Sequence, residues 1–473
     1  MTMEETKGIP YKWLALLTVS IGTYMATLDA SIVNITLPKL TKVFEIEPSV
    51  VLWVSLAYLL VSTGLMLILG KIGDVFGRKR VYVLGFILFT AGLIFCSLSQ
   101  NIVQLILARA FQGIGAAMMM ALGAAIVTAA FPDKERGKAL GIWGAVVFAG
   151  LLTGPVLGGF LLDLLDWRSV FYVRIPIGII GLVMARIFLR EQRVSNTDFK
   201  FDIRGTVTLF GGLSCLLLFF NLSGRLGFLS PLVLILSCIA LILLVFFVVF
   251  EKKATHPIVN LSLFRNRLFA SGNISLGIMS FANSGYIFLM PFYLIDVLGH
   301  SASEAGLITA VIPLTALLIA PLSGWLSDKI GPMPLCTAGI ALVCLALFLL
   351  TGLSIESSNT YIIIRLFILG LGIGMFGAPN SSSIMGSIPR DKLSTGSAMI
   401  ATARQIGISS GIAIFGTIFT SRQFYYSSQL IHGDIDPLSL HKLSLIGSYQ
   451  DTIFVAAIIC SLGIFTSLAR GKK

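Results

Sequence analysis

The chain has 473 residues, of which 56% are hydrophobic and 12% are charged, and its formal net charge is +12. Soluble domains carry about 25% charged residues, so the composition excludes a soluble globular protein and predicts an all-α membrane protein with many spans. The positive charge requires no nucleic-acid partner, because basic cytoplasmic loops and their attraction to the lipid bilayer account for it.

Fourteen apolar runs are long enough to cross a bilayer, since a spanning helix needs about 20 apolar residues. The predicted spans lie at roughly 13–37, 50–70, 81–99, 102–130, 139–162, 170–189, 204–222, 231–250, 268–295, 304–326, 334–353, 360–386, 396–420 and 449–468. With the N-terminus inside, most of the 34 Lys and Arg residues fall on the cytoplasmic side, and Arg174, near the start of the sixth span, is among the few assigned to the external side. This asymmetry predicts cytoplasmic termini and a multi-pass protein of the inner or plasma membrane.

The first span contains a lone acid, Asp29, in the sequence TYMATLDASIVNITLP. A charged side chain near the middle of a bilayer costs at least about 2.5–3.5 kcal/mol, so it usually has a partner, faces water or relays protons. The less specific interpretation is an acid at a helix end that reaches an interfacial partner. A polar stripe that either lines a pathway or bonds neighbouring helices lies nearly opposite to it: Thr23, Thr27, Ser31 and Asn34.

The loop after the second span reads GKIGDVFGRKR. Its glycines, Gly70, Gly73 and Gly77, permit a tight turn and close helix approach. Asp74 is expected to cap the third helix and to offer its carboxylate to a basic neighbour, while Arg78 stays in the cytoplasm. An ordinary basic cytoplasmic loop is the alternative, although such a loop does not require three glycines and one acid at this spacing.

The second half of the chain repeats features of the first. Three pairs of residues are separated by 254, 256 and 253 positions: Asp74 and Asp328, Arg109 and Arg365, and Pro38 and Pro291, the prolines being expected to end the first and ninth spans. Parallel repeats of this kind are typical of transporters built from two six-helix bundles. We therefore predict one bundle in residues 1–200, two inserted spans in residues 201–255 and a second bundle in residues 256–473.

The fourth span places Arg109 inside the membrane, in LARAFQGIGAAMMM. At about 1.5 Å per residue, Arg109 lies about 10 Å below the external surface and Asp29 about 8 Å below it. An ion pair between the two is therefore possible. A carboxylate that exchanges an arginine for a proton would couple proton movement to a change of conformation.

The fifth span contains AGLLTGPVLGGF. Gly154, Gly158 and Gly159 allow close contact with a neighbouring helix, and Pro155 removes a helical hydrogen bond and bends the axis. The matching stretch of the second half, 408–411, reads ISSG without Gly-Pro, so we interpret the feature as a hinge and not as general glycine packing. A kink without function is the alternative.

Several polar or aromatic residues within spans are candidates to line a central substrate cavity: Asn34, Gln112, Asn283, Tyr286, Tyr293, Arg404 and Gln405. The alternative is a hydrogen-bonding contact between helices, which is the commoner role of a lone polar group in a bundle. The chain has no P-loop, no G-x-S-x-G and no H-E-x-x-H, and its histidines lack metal-ligand spacing. We therefore expect no enzyme activity, no metal and no cofactor, with a proton gradient as the energy source.

The motifs resemble those of the major facilitator superfamily, in particular its fourteen-span drug:proton antiporters of the multidrug efflux type. The resemblance rests on LDASIVNITLP at 28–38, GKIGDVFGRKR at 70–80, LARAFQGIGAA at 107–117 and GLLTGPVLGG at 150–159. It implies proton coupling through Asp29 and Arg109, a cytoplasmic gating loop at 70–80 held by Asp74 and Arg78, and an antiporter hinge at Gly154 and Pro155. This chain departs from the family pattern in two ways. It has Arg174 where relatives commonly carry asparagine. It also lacks the additional membrane acids of relatives that export dications, so strong dication transport is not expected.

Three functions remain open at this stage. The first is a monomeric, proton-coupled antiporter that exports amphipathic neutral or monocationic small molecules by alternating access, with coupling in the N-terminal half and cargo mostly in the C-terminal half. The second is a dedicated exporter or flippase of an endogenous metabolite or lipid, for which Arg174 and Arg404 would suit an anionic headgroup. The third and most remote is a membrane sensor that transports nothing.

Overall fold

The computed structural model describes residues 10–46, 48–191, 202–254, 257–430 and 437–470. Fourteen of its helices are long and apolar enough to cross a membrane, which confirms the predicted number of spans. They are α1 (Tyr11–Val43), α2 (Trp53–Phe76), α3 (Arg78–Leu98), α4 (Ile102–Ala130), α5 (Arg136–Leu164), α6 (Ser169–Phe188), α7 (Ile203–Leu226), α8 (Pro231–Lys253), α9 (Arg267–Phe292), α10 (Val311–Ile330), α11 (Pro332–Leu350), α12 (Asn359–Gly386), α13 (Leu393–Leu430) and α14 (Pro437–Leu468).

The two prolines expected to end spans lie inside helices instead. Pro38 is within α1, which continues to Val43, and Pro291 is within α9, which leads into a π-helical turn at Tyr293–Val297. The prediction was wrong because a proline removes one hydrogen bond and bends a helix, while the turns on either side can remain helical.

Helices α1–α6 form one bundle and helices α9–α14 form a second, with the same packing order in each. In the first bundle α1 packs on α5, α2 on α4 and α3 on α4, and in the second α9 packs on α13, α10 on α12 and α11 on α12. The two halves are therefore parallel structural repeats, as the spacing of the sequence motifs predicts. The bundles meet along two seams, one where α5 packs on α10 and the other where α13 packs on α2 and α4.

Helices α7 and α8 form an inserted hairpin that joins both bundles. The two helices pack on each other, and α7 also packs on α2 of the first bundle and α13 of the second. Close approach is possible because a Cβ atom on Gly64 of α2 would lie 2.8 Å from the ring of Phe210 in α7. The predicted domain boundaries fall at 200/201 and 255/256, which lie outside the described residues, so the limits of the insert remain a prediction.

Candidate functional site

Asp29 lies at the centre of a buried polar cluster inside the first bundle. Its Oδ2 atom accepts a hydrogen bond from Nη1 of Arg109 at 2.6 Å, and its Oδ1 atom accepts one from Nη1 of Arg174 at 2.6 Å. Nε2 of Gln112 donates to Oδ1 at 3.1 Å. All four residues are at most 1% exposed, so three helices, α1, α4 and α6, contribute to one water-excluded ionic cluster.

The arginine of α4 is held by further contacts. Its Nη1 donates to Oε1 of Gln112 at 2.6 Å, and its Nε donates to the carbonyl of Val54 in α2 at 3.2 Å. The guanidinium also lies 4.2 Å from the ring centroid of Tyr58, close enough for a cation–π contact. The structure therefore contains the ion pair between Asp29 and Arg109 that their similar depths in the membrane allow. Helix α2 contacts Arg109 on the side away from Asp29 and stabilises the pair.

Arg174 is part of this cluster, and its assignment to the external side was wrong. The residue is fully buried, and its Nε donates to the carbonyl of Val170 at 2.7 Å. The sequence suggested a membrane interface because the residue lies close to Trp167 and Tyr172, and aromatic residues are typical of that region. The acid that stabilises its burial, Asp29, lies 145 positions earlier in the chain. Two guanidinium groups therefore face one carboxylate, which leaves the cluster with one surplus positive charge.

The acid of the gating loop connects the two bundles. Asp74 accepts hydrogen bonds at 3.0 Å from the backbone amides of Ser394 and Thr395, at the first turn of α13, and at 3.1 Å from Oγ1 of Thr395. Asp74 was expected to cap α3, but the N-cap of α3 is Gly77, without a side-chain cap. The carboxylate instead caps a helix of the opposite bundle, where it also meets the positive end of the helix dipole.

Arg78 completes this contact and is 3% exposed. Its Nη2 donates to Asp74 at 3.0 Å and to the carbonyl of Arg390 at 2.7 Å, while its Nε donates to Oγ of Ser394 at 3.0 Å. Arg78 thus lies on the cytoplasmic side, as predicted, but it is buried there between the carboxylate of Asp74 and the carbonyl of Arg390.

The three glycines of the gating loop have different surroundings. A Cβ atom on Gly70 would lie 2.9 Å from the carbonyl oxygen of Ser394, so its absence allows α2 to approach α13. A Cβ on Gly73 would collide with Leu122 of α4. Gly77 has a φ of +107°, a backbone conformation that favours glycine, and it makes the turn from α2 to α3.

The repeat partner of Asp74 makes the equivalent contact in the opposite direction. Asp328, in the last turn of α10, accepts hydrogen bonds from the backbone amides of Gly137 at 2.7 Å and Lys138 at 2.9 Å. These amides belong to the first turn of α5 in the first bundle. A Cβ on Gly324 would collide with the carbonyl of Gly137, so small residues permit close backbone approach at this seam as well.

These contacts define which side of the molecule is closed. Within the described ranges, the hydrogen bonds between the two bundles involve residues 74, 78, 137, 138, 328, 390, 394 and 395, all at cytoplasmic helix ends. On the external side Asn34 is exposed, and its Oδ1 accepts a hydrogen bond from Ser55. The two bundles are therefore bridged by hydrogen bonds on the cytoplasmic side.

Gly154 and Gly158 of α5 pack against the turn of α1 that follows Asp29 in sequence. A Cβ atom on Gly154 would collide with the hydroxyl of Ser31, and one on Gly158 would lie 2.8 Å from Ile32. Gly159 does not make the expected contact, because no atom of a neighbouring helix lies within 4 Å of the place that a Cβ would occupy. Pro155 lies within the continuous helix Arg136–Leu164 and is exposed.

The second bundle uses the same glycine contact without the proline. A Cβ on Gly411 of α13 would collide with the hydroxyl of Ser284 in α9, as one on Gly154 would with Ser31. The interpretation that the first-half feature is not general glycine packing was therefore wrong for Gly154. The two halves differ at the next residue, which is Pro155 in the first half and Ile412 in the second.

The predicted cavity residues separate into three groups. Gln112 belongs to the buried ionic cluster, and Tyr293 is 1% exposed, stacked on Tyr449 and bonded to the carbonyl of Ser354, so neither lines an open cavity. Asn34 is exposed on the external side. The remaining candidates are half-buried on α9 and α13: Asn283, Tyr286, Arg404 and Gln405.

Asn283 has a feature that the sequence does not reveal. Its Oδ1 atom is buried and has no hydrogen-bond partner among the described residues. This amide oxygen is therefore free to accept a hydrogen bond from water or from a bound compound. Ser394 and Thr395 were missed as site residues, and nothing in the sequence marks them. Arg174 was considered only for an anionic headgroup and not as a partner of Asp29, although an arginine after the Trp-Arg pair is unusual.

Two repeated helical bundles that hold a buried ion pair between membrane-spanning helices define a membrane transporter. Residues 19–412 match the model of the Major Facilitator Superfamily, and the chain belongs to this superfamily. It is a multi-pass protein of the plasma membrane and resembles the superfamily's drug-efflux members.

Known proteins support this assignment. The chain is 36% identical to the riboflavin transporter RibZ of Clostridioides difficile over 462 residues, covering 98% of each chain. It is 32% identical to the multidrug transporter protein MdtP of Bacillus subtilis over 423 residues, covering 89% of this chain and 78% of the relative. The crystal structure of the human organic anion transporter MFSD10 shares the fold, with a TM-score of 0.67 at 15% identity over 96% of this chain and 100% of that chain.

Proposed function

We propose that the protein is a proton-coupled antiporter that exports amphipathic small molecules by alternating access. The observation that carries this proposal is the fully buried carboxylate of Asp29, bonded to Arg109 of another helix. An ionisable group deep in a transporter bundle is typical of a proton relay. When Asp29 takes up a proton its attraction for the guanidinium falls, so proton binding and helix arrangement are linked.

The placement of the cluster supports coupling between proton and cargo. Asp29 lies on α1, the helix whose opposite face packs against the glycines of the α5 hinge. A change in the ionic cluster can therefore alter how α1 rests on α5, while α5 itself meets α10 of the other bundle. The half-buried polar residues of α9 and α13 are the proposed contacts for cargo, including Asn283 with its unpartnered oxygen.

A dedicated transporter of a single metabolite is the second candidate. It is favoured by the 36% identity, over nearly the full length, to a protein named a riboflavin transporter. Riboflavin is itself a neutral amphipathic compound, so it belongs to the class of cargo proposed above. An anionic lipid headgroup is less well supported, because Arg174 is engaged with Asp29 and so is not available to bind it.

Transport by the purified full-length chain in proteoliposomes tests both candidates. Vesicles with an imposed proton gradient would be given riboflavin, a fluorescent lipophilic monocation and a neutral amphipathic dye, each with and without a protonophore. We expect uphill movement of several compounds, lost with the protonophore, and proton flux driven by the same compounds. Movement of riboflavin alone would favour the dedicated transporter, and movement that ignores the gradient would end the antiport proposal.

A further inference from the structure

We propose that Arg174 is a positioning residue that competes with protons for Asp29 and thereby sets the pH range in which the transporter couples. This inference rests on the proposed proton coupling and names a residue that controls it. Each carboxylate oxygen has its own guanidinium, Arg109 on Oδ2 and Arg174 on Oδ1, both at 2.6 Å. A proton arriving at Asp29 therefore competes with two ion pairs instead of one.

Both charged groups that contact Asp29 are cations, which compete with a proton for its carboxylate. The packed elements contribute Arg109 from α4 and Arg174 from α6, together with two neutral titratable groups: the phenol ring of Tyr58 in α2, under Arg109, and the thiol of Cys96 in α3, 3.8 Å from Gln112. No second carboxylate forms an ion pair with either arginine in the part of the chain that the structure describes. Protonation of Asp29 would therefore leave two buried guanidinium groups without a counter-charge.

The anchoring of Arg174 makes this effect independent of the transport cycle. Its Nε is bonded to the carbonyl of Val170 in its own helix, and α6 packs on α1 within the same bundle. In alternating access the bundles move largely as rigid bodies, so residues of one bundle stay together. Arg174 should thus act on Asp29 in both the outward-facing and the inward-facing state, which displaces the whole pH profile without reversing its direction.

The test compares the pH dependence of proton-driven export in the wild type, Arg174→Asn and Arg174→Lys. An opposite charge within hydrogen-bonding distance shifts titration by about one to three pH units, so Arg174→Asn should move the midpoint of the profile upward by that amount. Arg174→Lys keeps a cation and should stay close to wild type. Arg168→Asn is the matched control, because that arginine is partly exposed and pairs with Asp166, and its profile should not move.

A second readout separates this inference from the proposed function. The protonated carboxyl band of Asp29 can be followed by infrared titration of purified protein in nanodiscs, assigned by its loss in Asp29→Asn. If the wild type shows no proton-driven export, the proposed function fails, while the band still reports on Arg174. Should the band titrate at the same pH in the wild type and Arg174→Asn, the inference is overturned. If Arg174→Asn does not fold, Arg174→Gln removes the same charge and replaces it in both measurements.

Discussion

Asp74 of α2 and Asp328 of α10 make reciprocal contacts, each capping the first turn of a helix in the opposite bundle. The two caps close the cytoplasmic side through backbone amides, so they depend on helix position and little on side-chain identity in the partner. They are unequal, because Asp74 also binds Arg78 and the hydroxyl of Thr395. The first cap should therefore hold the closed side more strongly than the second.

Replacement of these acids should open the cytoplasmic side. Hydrogen bonds to charged groups contribute about 1.5–3 kcal/mol each, so Asp74→Asn should shift the equilibrium toward the inward-facing state at least about tenfold. Asp328→Asn should act in the same direction but less. Pulsed electron paramagnetic resonance between spin labels at Arg80 and Lys329 would measure the change. Asp391→Asn removes an exposed acid on the same side and should leave the distances unchanged; an equal shift in this control would argue against the caps.

Added side chains at the helix-packing glycines should be poorly tolerated. Gly154→Ala would place a methyl group against the hydroxyl of Ser31, and overpacking of this kind costs about 1–3 kcal/mol. Gly411→Ala should behave alike against Ser284. Thermal unfolding of purified variants in detergent would report the loss.

The same helix contains the control for this prediction. Gly159→Ala meets open space and should be neutral or slightly stabilising, since alanine favours a helix by up to about 1 kcal/mol over glycine. The double variant Gly154→Ala, Ser31→Gly removes the collision and should recover stability. If Gly154→Ala were as stable as Gly159→Ala, the tight contact with α1 would not exist in the membrane.

Loss of the Asp29 charge should affect both stability and coupling. Asp29→Asn leaves two buried guanidinium groups unpaired, and breaking a buried ion pair costs about 3–5 kcal/mol. The double variant Asp29→Asn, Arg174→Asn returns the cluster to one surplus positive charge and should regain much of that stability. Neither variant should exchange protons. Thermal unfolding and proton flux in proteoliposomes separate the two effects, and proton flux at the wild-type rate in Asp29→Asn would remove this acid from the mechanism.

Two tyrosines of the second half should differ in their effect on cargo. Tyr286 is half-buried on α9, close in sequence to Asn283, whereas Tyr293 is packed on Tyr449 with ring centroids 5.1 Å apart. Tyr286→Ala should therefore raise the apparent KM for transported compounds several-fold. Tyr293→Phe should lose its hydrogen bond to Ser354 and a small amount of stability, about 1 kcal/mol, with KM unchanged. The opposite ranking in initial-rate measurements would place the cargo site elsewhere.

The sequence predicts those features that depend on local periodicity and depth. The fourteen spans follow from apolar length, and the pairing of Asp29 with Arg109 is compatible with depths counted along two helices. The 254-residue spacing also identifies Asp328 as the equivalent of Asp74. Each of these properties depends on the residues of a single segment, so it can be predicted without knowing which segments pack beside it.

Features that require a partner from a distant helix could not be predicted in the same way. Asp74 accepts hydrogen bonds from amides that lie 320 and 321 positions away. The spacing in the sequence favours the start of α3 instead, because that helix follows Asp74 directly. Arg174 was assigned to the interface because its aromatic neighbours are typical of that region. Its burial becomes favourable only through an acid supplied by α1, which is a property of the packed bundle.

The inserted hairpin makes the two flanks of the transporter unequal toward the surrounding lipid. On the flank of α2 and α13, helix α7 covers the junction, whereas on the flank of α5 and α10 large apolar side chains such as Phe160 and Leu318 are 62% and 61% exposed. A hydrophobic compound dissolved in the bilayer therefore meets the hairpin on one flank and the bundles themselves on the other. Any compound that enters between the bundles from the lipid should therefore reach the α5–α10 seam more readily than the seam of α2 and α13, which the hairpin covers.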